Sequence, residues 1–173
     1  MATIILLNYP VMFIFLDIDG VLVPEKKFDT SVRKEDLLKF DPTCLKEFEN
    51  VLRHYPQVLV VISSSWREVF PFEVVRPLFS PDIAQRVVGF TPFLDSTLIH
   101  QFKYIRHQEV LKYLRQNNAA DIPWVAIDDI PEHYPSDVQI VVTDAYSGFD
   151  SITAGLLELY LSEPNLRLEL KKI

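Results

Sequence analysis

VMFIFLDIDG, Val11 to Gly20, is an unbroken apolar run that ends abruptly in two acids and a glycine. A run of that kind predicts a strand covered on both faces, because a strand with one wet face would alternate apolar and polar residues. The pattern recurs. Val58 to Ile62 is apolar and stops at Ser63, Ser64 and Ser65; Trp124 to Ile127 stops at Asp128 and Asp129; Val138 to Val142 stops at Thr143 and Asp144. Arg86 to Val88, before Gly89, gives a shorter fifth candidate. Each run is followed by polar side chains, so the polar ends of several buried strands carry the chemistry.

Helical patterns fall between the runs, as parallel strands require, since each crossover has to return the chain to the same edge of the sheet. Asp41 then Pro42 is a helix start, an N-cap followed by proline at the first helical position, with Leu45, Phe48, Leu52 and Tyr55 at helical spacing after it. Gln101 to Gln116 places Ile105, Val110, Leu111 and Leu114 on one stripe and is ended by Asn117 and Asn118. Asp150 to Leu161 predicts a third helix with Ile152, Leu156, Leu159 and Tyr160 facing inward. Trp66 to Pro77 suits a shorter one, limited by Pro71 and Pro77. The alternation predicts a three-layer, doubly wound, Rossmann-like α/β sheet. In such sheets ligands bind beyond the carboxyl ends of the strands, so the polar clusters are expected to converge on one crevice.

Size and charge narrow the classes. At 173 residues the chain fits one domain, 1–173, and 49% hydrophobic against 24% charged residues is a globular composition. With 17 basic and 24 acidic residues the formal charge is −7, which disfavours sequence-independent nucleic-acid binding; nucleic acid is admitted only as a substrate. Lys26, Lys27, Arg33 and Lys34 are the candidates for a local basic patch, although a solvated loop is the preferred reading of them. The one cysteine, Cys44, cannot form an internal disulfide. Met1 to Pro10 lacks a basic leader and a cleavage site, and no apolar run approaches the length of about 18 residues that suggests a membrane span. A cytoplasmic protein without membrane contact is expected. Pro164 to Ile173 reads as an edge strand or a frayed end.

Three clusters hold the candidate site residues. In FLDIDGVL, Asp17 and Asp19 flank one apolar residue directly after a strand. Like charges held close raise a carboxyl's pKa or attract a cation, so the pair points to a divalent metal or to a nucleophile working with an acid. In VVISSSWRE, Ser63, with Ser64 and the N–H groups that follow, is placed to hold an anionic oxygen, or else the serines cap the next helix. Arg67 is able to grip a phosphate in bidentate fashion or to lie solvated. In WVAIDDIPEHYP, the adjacent Asp128 and Asp129 again ask for a cation, and hard oxygen ligands suit Mg²⁺ rather than zinc. His54, His100, His107 and His133 show no zinc spacing, and His133 reads as an exposed loop residue.

Taken together, these motifs resemble the haloacid dehalogenase-like superfamily, over most of the chain. The resemblance implies that Asp17 is the nucleophile and Asp19 the general acid and base, that Ser63 is the hydroxyl residue ending the second strand, and that Asp128 and Asp129 form the acidic motif, with Asp129 favoured as direct magnesium ligand. Arg106 best fits the family's basic position, where lysine is commoner, and Lys103 competes for it. Neither gap between motifs suits a large cap, and in the superfamily a cap commonly encloses small substrates. A small capless domain, like those of RNA-repair proteins and phosphoprotein phosphatases, with an open site for a large phosphorylated molecule is therefore implied. The loop Pro24 to Lys34 suits a small flap, with Phe28 closing the site, or an ordinary polar loop. The expected activity is a magnesium-dependent phosphomonoesterase acting through an aspartyl-phosphate on a phosphorylated substrate. The alternatives are a phosphate-accepting signalling module and a non-catalytic interaction domain on the same fold; receiver modules, however, keep their acid pair and phosphoaccepting aspartate on separate strands.

Overall fold

A computed structural model describes residues 11–163. The segments 1–10 and 164–173, on which the expectations of no leader and of a terminal edge strand fall, lie outside the described residues. Five parallel strands, β1 (Met12–Leu16), β2 (Val58–Ile62), β3 (Val87–Phe90), β4 (Trp124–Asp128) and β5 (Ile140–Val142), form one sheet in the order β3-β2-β1-β4-β5. The helices are α1 (Pro42–His54), α2 (Phe72–Val75), α3 (Pro81–Ala84), α4 (Ile105–Gln116) and α5 (Ser151–Ser162). This is the expected α/β, Rossmann-like arrangement. The predicted run from Val138 becomes a strand only at Ile140, because Val138 is held in a turn by its N–H to Pro135 O.

Central β1 is buried along its whole length, and its residues alternate between two cores. Met12, Ile14 and Leu16 join Phe48, Leu52, Leu157 and Leu161 on the side of α1 and α5. Phe13 and Phe15 face Val110 and Leu114 of α4. The second core is smaller and aromatic: Phe15 meets Tyr113 and Trp124 edge to face, at 5.7 and 5.5 Å. Both faces being covered, the uninterrupted apolar run of β1 has its explanation.

Asp41 caps α1 as its sequence suggests, its carboxylate accepting the N–H groups of Thr43 and Cys44. Asp150 caps α5 through a reciprocal capping box with Thr153. The inward face of α5 differs from the expectation. Ala154, Leu157 and Leu161 are buried, whereas Ile152, Leu156 and Leu159 are exposed and Tyr160 is only partly covered. The helix carries two apolar stripes, so hydrophobicity alone does not choose between them; the cap at Asp150 and packing on α1 set the rotation. Ile105, placed on the inward stripe of α4, is likewise exposed, at the first residue of that helix.

No large cap is present among the described residues: the segment from β1 to α1 holds only 3₁₀ turns at Glu25–Phe28 and Lys34–Asp36. The basic residues there are largely engaged locally. Lys26 donates to Ser147 O (2.7 Å), Lys27 donates to Lys39 O, and Arg33 pairs with Glu35 and Asp36. No described helix is long and apolar enough to cross a membrane.

Candidate active site

The carboxyl ends of β1, β2 and β4 lie side by side because these strands are neighbours in register, Leu16 opposite both Ile62 and Ile127. The next residues are therefore brought together. Asp17 N donates to Ile127 O (2.9 Å) and Ser63 N to Leu16 O (2.8 Å), which extends the ladder into the site. Asp17, Asp128 and Asp129 each offer a carboxylate oxygen, and all three oxygens lie within 4.8 Å of one another.

Asp17 is buried, and its pKa is pushed from 3.8 up to about 7, first by burial and next by the Asp128 charge. Arg106, the Ser64 hydroxyl and the Ile18 N–H oppose that rise, the last through a 2.7 Å bond to Asp17 Oδ1. Of Arg106 and Lys103, it is thus Arg106 whose charge bears on Asp17. Lys103 is exposed and sits 4.9 Å from the centre of the Tyr104 ring. Asp129, half-buried, is also pushed up, by burial and then by Asp128. Asp128 is fully buried; it accepts the Ile130 N–H (2.9 Å) and faces His133 Nδ1 at 3.0 Å.

Asp19 stands apart from this group. It is exposed, and its Oδ1 accepts the indole N–H of Trp66 at 3.0 Å. Gly20 follows at φ +70, and a Cβ there would fall 2.4 Å from Asp129 Cγ, so the loop after β1 runs directly against that carboxylate. The Gly20 carbonyl is held by the Thr143 hydroxyl (2.8 Å). Of the serines, it is Ser64 that reaches Asp17. Ser63 is fully buried beside the Tyr134 hydroxyl, and neither group completes a well-formed hydrogen bond. Arg67 is almost fully buried and ion-paired to Glu109 (2.5 Å), with its guanidinium also donating to Thr91 and stacked 4.5 Å from the Phe93 ring centre.

Two cavities flank the acids. One, of about 400 Å³, is lined by Asp19, Gly20, Val23, Glu25, Phe28 and Asp129. The other, of about 360 Å³, includes Arg67, Phe93, Lys103, Arg106 and His133.

Residues 13–154 match the family model described as the HAD domain in Swiss Army Knife RNA repair proteins. The chain belongs to this HAD family. Comparisons with curated proteins and with solved structures gave no match. Membership in the HAD family supports a hydrolase of the phosphatase type, and the cluster of Asp17, Asp128 and Asp129 is compatible with it.

The donor set of this HAD site fits a small, oxygen-seeking divalent cation. The group of three acids contains no cysteine or histidine donor, two of its members are buried, and burial, then the Asp128 charge, raises Asp17. Trp66 and Glu109 are neighbours of the site that the sequence does not mark; Thr143 is a polar strand end that it does, and His133, read from sequence as an exposed loop residue, is half-buried because it meets the buried Asp128. Each acts through a contact between elements distant in the chain, or, for His133, across a 3₁₀ turn at Pro131–His133.

Proposed function

We propose that this HAD domain is a magnesium-dependent phosphomonoesterase that works through an aspartyl-phosphate on Asp17. The observation that carries the reading is the convergence of carboxylate oxygens of Asp17, Asp128 and Asp129 within 4.8 Å, with Asp17 buried and under the influence of both the Asp128 and the Arg106 charge. Asp17, Asp128 and Asp129 would hold Mg²⁺, which supplies positive charge to the phosphoryl oxygens and favours the ionised form of Asp17.

The chain's own residues do the rest. The Ile18 N–H fixes one oxygen of Asp17, leaving the other to attack phosphorus. The bond from phosphorus to the ester oxygen breaks as the bond to Asp17 forms, and Asp19 gives its proton to the departing oxygen. Asp19, now a carboxylate, takes a proton from water, whose oxygen attacks phosphorus and releases Asp17 and inorganic phosphate. The Ser64 hydroxyl bonds to Asp17 and the Arg106 charge acts on it from nearby, so both are available to phosphoryl oxygens.

An acid has to be within hydrogen-bond reach of the oxygen it protonates, so the alcohol part of the substrate belongs on the Asp19 side, in the cavity walled by Phe28 and Val23. The Arg106 cavity, with the Phe93 ring exposed on one face and backed by Arg67 on the other, offers a second surface for a larger substrate. Two open cavities without a cap suit a phosphate carried on a polymer. The family's description favours a phosphorylated RNA end among such polymers.

The test is hydrolysis of 3′- and 5′-phosphorylated oligoribonucleotides, nucleoside monophosphates and a phosphopeptide, each with Mg²⁺ and with EDTA. Activity that needs Mg²⁺ and is lost in Asp17→Asn is expected, greatest on the oligoribonucleotides. Turnover retained by Asp17→Asn would remove Asp17 from the role.

A further inference from the structure

Asp19 and Trp66 are far apart in sequence, and among the described residues their contact is the side-chain hydrogen bond that ties the proposed acid and base to the hydrophobic core. The Trp66 indole packs among Phe40 and Phe70, with ring centres 5.9 and 5.2 Å away, and is nearly buried. Its N–H points to Asp19 Oδ1 at 3.0 Å. Asp19 is the exposed residue of a turn that is otherwise buried, in which Val21, Leu22 and Val23 donate to Ile18 O. A carboxylate on such a turn samples several rotamers unless a partner selects one.

The indole N–H donates and cannot accept. It therefore bonds an Asp19 oxygen in either protonation state without competing for the proton. With Oδ1 occupied as an acceptor, Oδ2 is the oxygen left free to carry the proton of the acid form. We infer that Trp66 is a positioning residue for general acid and base catalysis: it fixes the Asp19 rotamer and assigns the transferable proton to Oδ2. This rests on the phosphomonoesterase reading of the site. In the step concerned, the proton on Asp19 Oδ2 passes to the ester oxygen as its bond to phosphorus breaks, leaving Asp19 ionised and the alcohol neutral.

Leaving-group chemistry isolates this role. A p-nitrophenolate departs readily without a proton, whereas an alkoxide needs one. In Trp66→Phe, which keeps the packed ring and removes the N–H, kcat on 2-glycerophosphate is expected to fall at least about tenfold, while kcat on p-nitrophenyl phosphate falls less than about threefold and KM changes little for either. A purely structural role would lower both rates together. Equal loss on both esters, or no loss on the alkyl ester while the wild type hydrolyses both, overturns the inference. A wild type inactive on every ester instead overturns the phosphatase reading. Should Trp66→Phe not fold, the contact is read without touching the tryptophan: there are 2 tryptophans, hence two indole N–H resonances. Asp19→Asn is expected to shift that of Trp66 and leave that of Trp124 in place; two unmoved signals overturn the contact.

Discussion

Replacing Asp17 by Asn removes a carboxyl that folding places in a setting hostile to its charge, and the consequence for stability has a definite sign. In the metal-free protein the pKa of Asp17 is raised from 3.8 to about 7. At about 1.36 kcal/mol for each tenfold change in proton affinity, that displacement is worth roughly 4 kcal/mol. The folded state holds the Asp17 proton more tightly than the unfolded chain, so between about pH 4 and pH 7 the unfolded state binds fewer protons and stability falls as pH rises. Below that window the effect is absent, and above it the loss is complete. Asn does not titrate. Urea unfolding in EDTA should therefore show Asp17→Asn gaining on the wild type as pH rises, by about 3 kcal/mol between pH 5 and pH 8. Groups common to both proteins cancel in the difference, apart from the share of the Asp128 and Asp129 titrations that the Asp17 charge itself causes. Adding Mg²⁺ at pH 8 should stabilise the wild type more than the variant and narrow the gap, since the ion binds ionised carboxylates. A stability difference that stays constant across pH would show that Asp17 titrates as an ordinary aspartate and would refute the electrostatic account of the cluster.

Other outcomes follow from individual contacts. Gly20→Ala should lose about 1–2 kcal/mol from the left-handed backbone alone and should weaken Mg²⁺ binding further, because its methyl group meets Asp129; isothermal titration and thermal melts read the two effects separately. His133→Ala should lower Mg²⁺ affinity about 10- to 100-fold with the fold retained, through loss of the partner that orients Asp128. Glu109→Gln should cost roughly 3–5 kcal/mol in urea unfolding, since it leaves the buried Arg67 charge unpaired. Phe28→Ala should raise KM for phosphorylated oligoribonucleotides with little change in kcat, as expected of a cavity wall that does not touch the reacting atoms.

Much of the fold was legible because the strands of a doubly covered sheet are written as unbroken apolar runs. β2 begins and ends where VLVVI does, and the acids and serines follow the strand ends that the sheet brings together. What escaped notice was decided by packing between distant segments. The rotation of α5 is settled by its cap and by α1, and Ile152 is as hydrophobic as the residues that were buried in its stead. Arg67 reads as a phosphate grip or a solvated side chain until Glu109, 42 residues later on α4, is seen beside it. The division of labour among Ser63 and Ser64 depends on how the chain turns after β2, and adjacent serines give no sign of it. Nor does any local pattern announce that an indole meets Asp19.

The buried Arg67–Glu109 pair acts as a spacer bar across the mouth of the site. Arg67 follows Ser64 on the turn after β2, and Glu109 lies one helical turn beyond Arg106 on α4. Locking Arg67 to Glu109 ties together the two segments that carry Ser64 and Arg106, the two groups that oppose the rise of the Asp17 pKa. In the proposed phosphomonoesterase, the width of the phosphate slot is thereby governed by two side chains that need never touch the phosphate.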